Sequence, residues 1–384
     1  MISPFFFNNK NVFLDRFPVG QVNRSLQAWD AADEYIINYI NDHGLLKDNN
    51  KILVVNDAFG AISCNLSEHE VYCINDSYTS QMGIKLNIEQ NYISDKNFTY
   101  LTSIDELPEN IDLILYKIPK SKSLLIDQFT QISTQYNQNT MLIATDRAKD
   151  IHSSTLKLFE KYLGETTTSL AVKKARLLFT KIEKKFQPTP LFPTCWQIPS
   201  LNNKEVTFTL SNLSNVYSRE KLDIGARYFI NNLPEIKAGA TVIDLGCGNG
   251  VVGLSVLDQQ PNTEVHFYDE SFMAIKSAQE NIKTNFPHLT EKCTFTVNDC
   301  LSGVEGASVD LILCNPPFHQ QTATTDHIAW QMFKDSHRVL KKGGELRIIG
   351  NRQLAYHIKL QRIFGNEKLI ASNDKFVTSA AIKR

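Results

Sequence analysis

The chain has 384 residues, 42% hydrophobic and 21% charged, an ordinary globular composition that excludes a disordered or fibrous protein. That length exceeds what one core usually serves, so two domains are expected. With 40 Lys and Arg against 41 Asp and Glu, the formal net charge is −1, and any basic footprint for a nucleic acid has to be local.

The opening Met1-Ile2-Ser3-Pro4-Phe5-Phe6-Phe7 is apolar but short, without the charged lead and long apolar run of a signal peptide. No stretch reaches the length that spans a bilayer, so no membrane partner is expected. Seven cysteines are scattered at Cys64, Cys73, Cys195, Cys247, Cys293, Cys300 and Cys314. Their number is odd and no pair has C-x-x-C spacing, which reads as reduced thiols in a cytoplasmic protein, with neither a disulfide frame nor a metal site.

Short apolar runs of β type alternate with amphipathic segments, the pattern of α/β domains with mostly parallel central sheets. The first run, Ile52–Val55, enters Asn56-Asp57-Ala58-Phe59-Gly60; Val71–Asp76 follows, then Asp112–Leu115 running into Lys117-Ile118-Pro119-Lys120. Lys173-Lys174-Ala175-Arg176 and Lys181-Ile182-Glu183-Lys184-Lys185 form the densest basic stretch. It reads either as a phosphate-holding surface or as a solvated basic face. Residues 187–200 carry Pro188, Pro190, Pro193 and Pro199, a density that resists helix and central strand, so a linker is placed there. It divides a domain at 1–186 from another at 201–384.

The second half repeats the order of the first. Thr241–Leu245 enters Gly246-Cys247-Gly248-Asn249-Gly250, Val265–Asp269 matches Val71–Asp76, and Asp310–Leu313 repeats Asp-Leu-Ile-Leu. Repeated order and repeated strand ends indicate a duplicated domain. The copies differ where chemistry would sit: the first has one glycine in its turn, and Lys117–Lys120 where the second has Asn315-Pro316-Pro317-Phe318. The N-terminal copy therefore keeps the fold without a working site.

Glycines after a strand allow a sharp turn and close approach of a ligand to the backbone, and the helix expected over Val251–Asp258 adds free N–H groups and a positive dipole end. Asp269 ends the next strand nineteen residues past Gly250, where a carboxylate accepts hydrogen bonds from ribose hydroxyls or caps a helix. Asp244-Leu245-Gly246-Cys247-Gly248-Asn249-Gly250 followed by an acid-ended strand resembles the class I methyltransferase family, whose cofactor is S-adenosyl-L-methionine. The resemblance implies two tandem Rossmann-like domains. It also implies a cofactor site of Asp244, Gly246, Cys247, Gly248, Asn249, Gly250, Asp269, Asp299 and Asn315, with Asp269 on the ribose and Asp299 beside the adenine.

Asp310–Cys314 reads as the fourth strand, and Pro316 and Pro317 stop it rigidly at the end where doubly wound sheets bind ligands. Asn315 and the Pro316 carbonyl can each accept one N–H of an exocyclic amine, orienting it toward a sulfonium methyl; Phe318 offers a face for a planar base. Asn315, Pro316, Pro317 and Phe318 are thus the candidate catalytic residues. This motif resembles that of methyltransferases acting on exocyclic or amide nitrogens.

Asn-Pro-Pro-Phe-His, the doubled domain and Val216–Arg227 together resemble bacterial ribosomal RNA guanine-N2 methyltransferases. Within them, Asn56–Ala61, Gln27–Asp33 and Phe318–Gln321 are similar to the large-subunit (RlmG) type rather than the small-subunit (RsmC) type. The resemblance covers essentially the whole chain and implies methyl transfer to N2 of one guanosine in large-subunit (23S) ribosomal RNA. A target inside a helix could not reach such a pocket, so it is single-stranded or flipped. Candidate RNA contacts are Arg219, His319, Lys173, Lys174, Arg176, Lys184 and Lys185. Arg219 and Asp223 frame the pocket mouth, or Asp223 starts the helix expected over Ile224–Asn231; His319 touches RNA or is a surface histidine. Trp330, Met332 and Phe333 on a helix over Ile328–Leu340 read as core, and Lys341–Gly344 as a turn into a strand over Glu345–Ile349. Rival readings are a small-subunit enzyme, an adenine-N6 or glutamine-amide methyltransferase, and a non-catalytic RNA-binding assembly factor.

Overall fold

A computed structural model describes residues 3–7, 10–19, 27–183, 191–317 and 323–384. The chain divides into two compact units, Met1–Leu191 and Phe192–Arg384. Among the described residues no helix is long and apolar enough to cross a membrane.

The first unit opens with an antiparallel hairpin, β1 (Ser3–Phe7) and β2 (Lys10–Leu14), then α1 (Ala31–Asp42). β3 (Lys51–Val55), β4 (Glu70–Asn75), α2 (Tyr78–Gln90), β5 (Phe98–Thr102), β6 (Leu113–Lys117), α3 (Lys122–Gln135), β7 (Met141–Arg147), α4 (Ser153–Tyr162), β8 (Thr166–Thr168) and β9 (Ala175–Lys181) follow. Seven strands form one sheet in the order β5-β4-β3-β6-β7-β9-β8, parallel except that β9 runs against its neighbours. β3 is buried on both faces, with Ile52 and Val54 in one core and Leu53 and Val55 in the other, as a central parallel strand requires.

The second unit repeats this plan. The hairpin is β10 (Thr194–Pro199) with β11 (Thr207–Asn212), followed by α5 (Ile224–Ile230). Then come β12 (Thr241–Leu245), α6 (Val251–Gln259), β13 (Glu264–Asp269), α7 (Phe272–Asn285), β14 (Cys293–Val297), β15 (Val309–Cys314), α8 (Ala323–Val339), β16 (Leu340–Asn351), α9 (Tyr356–Phe364), β17 (Lys368–Ser372) and β18 (Phe376–Ile382). The sheet order is β14-β13-β12-β15-β16-β18-β17, with β18 the reversed strand.

The duplication extends to side-chain hydrogen bonds. Asp112 accepts from the Lys51 N–H at 2.9 Å, and Asp310 accepts from the Thr241 N–H at 2.9 Å, each tying β6 or β15 to the start of its central neighbour. Ser77 caps α2 as Ser271 caps α7. Asn87 on α2 and Asn91 at its C-cap pair both ways with the backbone of Asp15 and Phe13, so carboxamides complete an edge that has no strand beside it. Asn281 and Asn285 on α7 do the same for Ser211 and Thr209.

Two readings of the sequence are redrawn. Thr194–Pro199, placed in the linker 187–200, is strand β10 of the second unit; its prolines lie before the strand and at its last residue, so its ladder with β11 survives. Lys341–Gly344, read as a turn, belongs to β16, where Gly343 takes φ +82° beside a register shift between Val309 and Leu311. Met332 and Phe333 are buried as expected, while Trp330 is half-buried under the Arg362 guanidinium, 5.1 Å from its ring centre.

The first unit fills its own sheet end. Asp57, 1% exposed, accepts from the N–H groups of Gly60, Ile62 and Ser63 and from the Ser63 hydroxyl at 2.8–3.1 Å. Lys117, level with Asn315 of the second unit, lies 2.7 Å from Asp33 and 3.1 Å from Asp30, the residue that caps α1. Burial pulls the Lys117 ammonium down, yet the two carboxylates together hold its pKa above the usual lysine value; burial pushes Asp33 up to about 6 against the pull of Lys117. Lys117→Met leaves Asp33 buried without a counter-ion and should cost about 3–5 kcal/mol of first-unit stability. Adding Asp33→Asn should recover much of that in urea unfolding; an unchanged Lys117→Met transition would show that the pair does not hold this end together.

Candidate active site

β12, at the centre of its sheet, delivers the chain into a turn where Gly246, Gly248 and Gly250 have φ of +73°, +55° and +77°. Such values suit glycine. A Cβ on Gly250 would come 2.9 Å from that of Ala278, and one on Gly246 would meet Met332 at 3.2 Å. A Cβ on Gly248 would meet nothing within 4 Å, so the turn is open to a ligand at its middle glycine. Gly246 and Cys247 both donate to the Tyr268 carbonyl, which binds the turn to β13.

The polar side chains here divide into braces and available groups. Asp244 is buried and accepts from the Gly253 N–H at 2.8 Å, joining the end of β12 to the first turn of α6. Burial pushes its carboxyl up to about 7, opposed by the Gly253 bond and reinforced by Asp269. Asn249 donates to Asn212 at 2.8 Å, and its carbonyl accepts from Asn281 at 2.9 Å, so its side chain serves the scaffold. Cys247 is buried in the core and its thiol is held neutral by burial. Gly253 escaped the sequence reading: a Cβ there would fall 2.2 Å from the Phe267 ring, so α6 rests on β13 only because position 253 is bare. Its signal was a fourth glycine three residues past the triplet.

Asp269, at the end of β13, accepts from Gly248 at 2.9 Å and from Ser271 at 3.0 Å, one bond to each carboxylate oxygen. The helix cap is Ser271, so the capping reading of Asp269 does not describe it. A carboxylate in this place is an acceptor of the kind that ribose hydroxyls need. Asp299, 7% exposed after β14, accepts from Gln331 on α8 at 2.9 Å. Gln331 was not found in the sequence, since only folding brings α8 to that loop.

Asn315 follows β15 directly, and parallel pairing of β15 with β12 sets it beside the glycine turn. Its Oδ1 is sealed from solvent and has no hydrogen-bond partner among the described residues. A buried amide oxygen left unmet is costly, on the order of 1–3 kcal/mol. Pro316 is buried and Pro317 exposed. Phe318 and His319 lie outside the described residues, as do Lys184 and Lys185.

Asp223 caps α5 through Ala226 at 2.9 Å and accepts from the Tyr217 hydroxyl at 3.3 Å, so the helix-start reading describes it. The Arg219 carbonyl holds the Trp196 indole at 3.0 Å while its guanidinium faces Glu220 at 2.9 Å and the Phe192 ring. In the first unit Lys173 and Lys174 occupy a turn with positive φ, Lys173 paired with Glu34 and Lys181 with Glu165. The basic stretch is thus partly neutralised by its own neighbours.

Because the folded state raises the Asp244 pKa from 3.8 to about 7, ionised Asp244 opposes folding. That cost grows as pH rises from about 4 to 7 and is complete above it. Asp244→Asn keeps an acceptor for Gly253 and should stabilise the protein by about 2–4 kcal/mol at pH 8, with the gap closing toward pH 4. Urea unfolding at several pH values measures this; a pH-independent gap would show that Asp244 does not titrate as described.

Comparison with known proteins gives two family matches, an RLMG N-terminal domain over residues 3–184 and a methyltransferase small domain over residues 207–379. The chain is 64% identical to the Ribosomal RNA large subunit methyltransferase G of Colwellia psychrerythraea, covering 100% of both chains. It is 49% identical to the protein of that name from Pseudoalteromonas translucida, covering 98% of this chain and 97% of the relative. Among solved structures it resembles a T. thermophilus 16S rRNA N2 G1207 methyltransferase in complex with AdoMet and guanosine, at a TM-score of 0.79 and 18% identity over 100% of this chain and 98% of that one. That likeness bears on the fold, two Rossmann-like sheets in tandem. With its glycine turn, its acid-ended β13 and relatives matched over their whole length, the chain belongs to the ribosomal RNA large subunit methyltransferase G family and is an S-adenosyl-L-methionine-dependent methyltransferase.

Proposed function

We propose that the second unit transfers a methyl group to the exocyclic N2 amine of one guanosine in large-subunit (23S) ribosomal RNA. The observation that carries this is the sealed, unpartnered Oδ1 of Asn315 at the end of β15, next to an open glycine turn. The large-subunit substrate is the one in the names of the relatives above, and the N2 position is the one named for the T. thermophilus fold neighbour.

The residues fit the cofactor. The bare space over Gly248 would admit its methionine part, the Asp269 carboxylate would hold the ribose, and Asp299, steadied by Gln331, would lie toward the adenine. When bound, S-adenosyl-L-methionine supplies an electrophilic methyl on a sulfonium. The chain has to supply orientation. The guanine N2 lone pair is delocalised into the ring and is a poor nucleophile. Asn315 Oδ1 and the Pro316 carbonyl each accept one N–H of that amine, which turns the lone pair toward the methyl and spreads the positive charge that builds on nitrogen. Methylation at N2 would leave a positive nitrogen, which gives up one proton to solvent. Pro316 and Pro317 lock the backbone that carries both acceptors. Phe318 extends this site in the sequence and would stack on the base.

RNA that reaches this site presents the target base unpaired. Lys174 and Arg176 of the first unit, with Lys173, Lys184 and Lys185, are proposed to meet phosphates. Arg219 and His319 are proposed near the target nucleotide. The substrate is protein-free RNA or an assembly intermediate, and acceptor assays on both decide which.

Asn315→Ala should lower kcat for methyl transfer by about a hundredfold or more, the cost of removing a transition-state hydrogen bond, while leaving the S-adenosyl-L-methionine Kd nearly unchanged. Wild-type turnover in that variant would contradict the mechanism. Reversing charge at Lys174 and Arg176 should weaken RNA binding and flatten its dependence on salt, measured by filter binding across salt concentrations. An unchanged salt slope would remove those residues from the RNA surface.

A further inference from the structure

One strand beyond Asn315 there is a second sealed carboxamide. Asn351 is the last residue of β16, and its Oδ1 is buried without a hydrogen-bond partner among the described residues. β16 lies on the side of β15 away from β12, β13 and β14, and so away from the residues assigned to the cofactor. Asn351 therefore stands where the methyl acceptor, rather than the methyl donor, would enter.

The two asparagines share a face of the sheet. Along β15, Leu311 and Leu313 enter one core while Ile312 and Cys314 enter the other, and Asn315 is next on the Leu313 side. Along β16, Ile348 joins the second core and Ile349 the first, and Asn351 continues the Ile349 side. Phe376, the residue paired with Asn351 across β18, is also in that first core. Cys314 is level with Ile348, so Asn351 stands two residues further out than Asn315. With neighbouring strands about 4.8 Å apart and a rise of about 3.3 Å per residue, their Cα atoms are roughly 8 Å apart. Two asparagines on one face at that separation are within the width of a single purine edge and its substituents.

The backbone there is held firmly. A Cβ on Gly350 would strike the Tyr356 ring at 2.6 Å, and that ring packs edge-on against Phe333 of α8 at 5.3 Å. The Arg352 N–H donates to the Lys375 carbonyl at 3.0 Å. A fixed acceptor without a partner among the described residues is the arrangement of a group kept for a ligand.

Guanine presents N1–H beside its N2 amine, so its edge offers a third donor next to the two taken by Asn315 and Pro316. Adenine presents a bare N1 lone pair beside its amine. An acceptor facing N1 therefore attracts guanine and repels adenine, which gives selectivity as well as affinity. We infer that Asn351 is a specificity-determining residue whose carboxamide oxygen accepts the N1–H of the target guanine. This inference rests on the guanine-N2 reading given above.

The test compares Asn351→Leu, which keeps the volume and removes the acceptor, with Asn351→Asp, which keeps an acceptor oxygen in either protonation state. Full-length proteins are assayed on unmethylated ribosomal RNA with labelled S-adenosyl-L-methionine, and cofactor Kd is measured in parallel. The expected result is a fall in kcat/KM for RNA of about tenfold to a hundredfold in Asn351→Leu, substantial recovery in Asn351→Asp, and an unchanged cofactor Kd in both. Wild-type kcat/KM in Asn351→Leu would overturn the inference. So would equal loss in both variants, which would make the position one of shape alone, or a matching loss of cofactor affinity, which would place it on the donor side. If wild-type protein itself yields no N2-methylguanosine on any ribosomal RNA or particle, the guanine-N2 reading fails instead.

Discussion

Everything at the candidate site depends on a chain reversal that has to be made almost without side chains. Between β12 and α6 the backbone takes three left-handed conformations within five residues. It does so a few ångströms from Ala278, Met332 and the Phe267 ring. Glycine alone satisfies both the dihedral and the contact constraints. What it gives in return is exposed backbone at Gly248, the one glycine of the three whose Cβ position is empty. The surrounding polar groups keep that flexible turn in one shape. Asp244 holds the helix end, Asn249 is tied to β11 and α7, and Asp269 holds Gly248 itself.

The first unit shows the same fold under the opposite constraint. Its sheet order, its serine caps and its pairs of helix asparagines all recur. At its turn, however, Asp57 takes up the N–H groups that a ligand would otherwise meet. At the end of its fourth sheet position Lys117 is enclosed by Asp30 and Asp33 where the second unit leaves Asn315 unmet. At this sheet end the first unit meets its polar groups internally, while in the second the Asn315 acceptor has no partner among the described residues.

The legible parts of the sequence were those whose chemistry is local. Asp244–Gly250 and Asn315–Pro317 declare a turn and a rigid strand end because adjacent residues share one constraint. The repeated Asp-Leu-Ile-Leu marked the duplication because Asp112 and Asp310 have the same task at the same place in each sheet. Parts that depend on distant neighbours were hidden. Gln331 and Asn351 are ordinary polar residues until folding sets one beside Asp299 and the other beyond Asn315. β10 was obscured by prolines that flank its ladder, and the first residues of β16 by lysines and glycines that read as a turn. The resemblance sets Asp244 at the cofactor, while in the structure its carboxylate accepts from Gly253.

The most direct measurement is transfer of labelled methyl from S-adenosyl-L-methionine to protein-free large- and small-subunit ribosomal RNA, with nucleoside mass analysis of each product. N2-methylguanosine is expected in the large-subunit RNA and none in the small. N2-methylguanosine confined to the small-subunit RNA, or methyl on a different base, would contradict the proposed reaction.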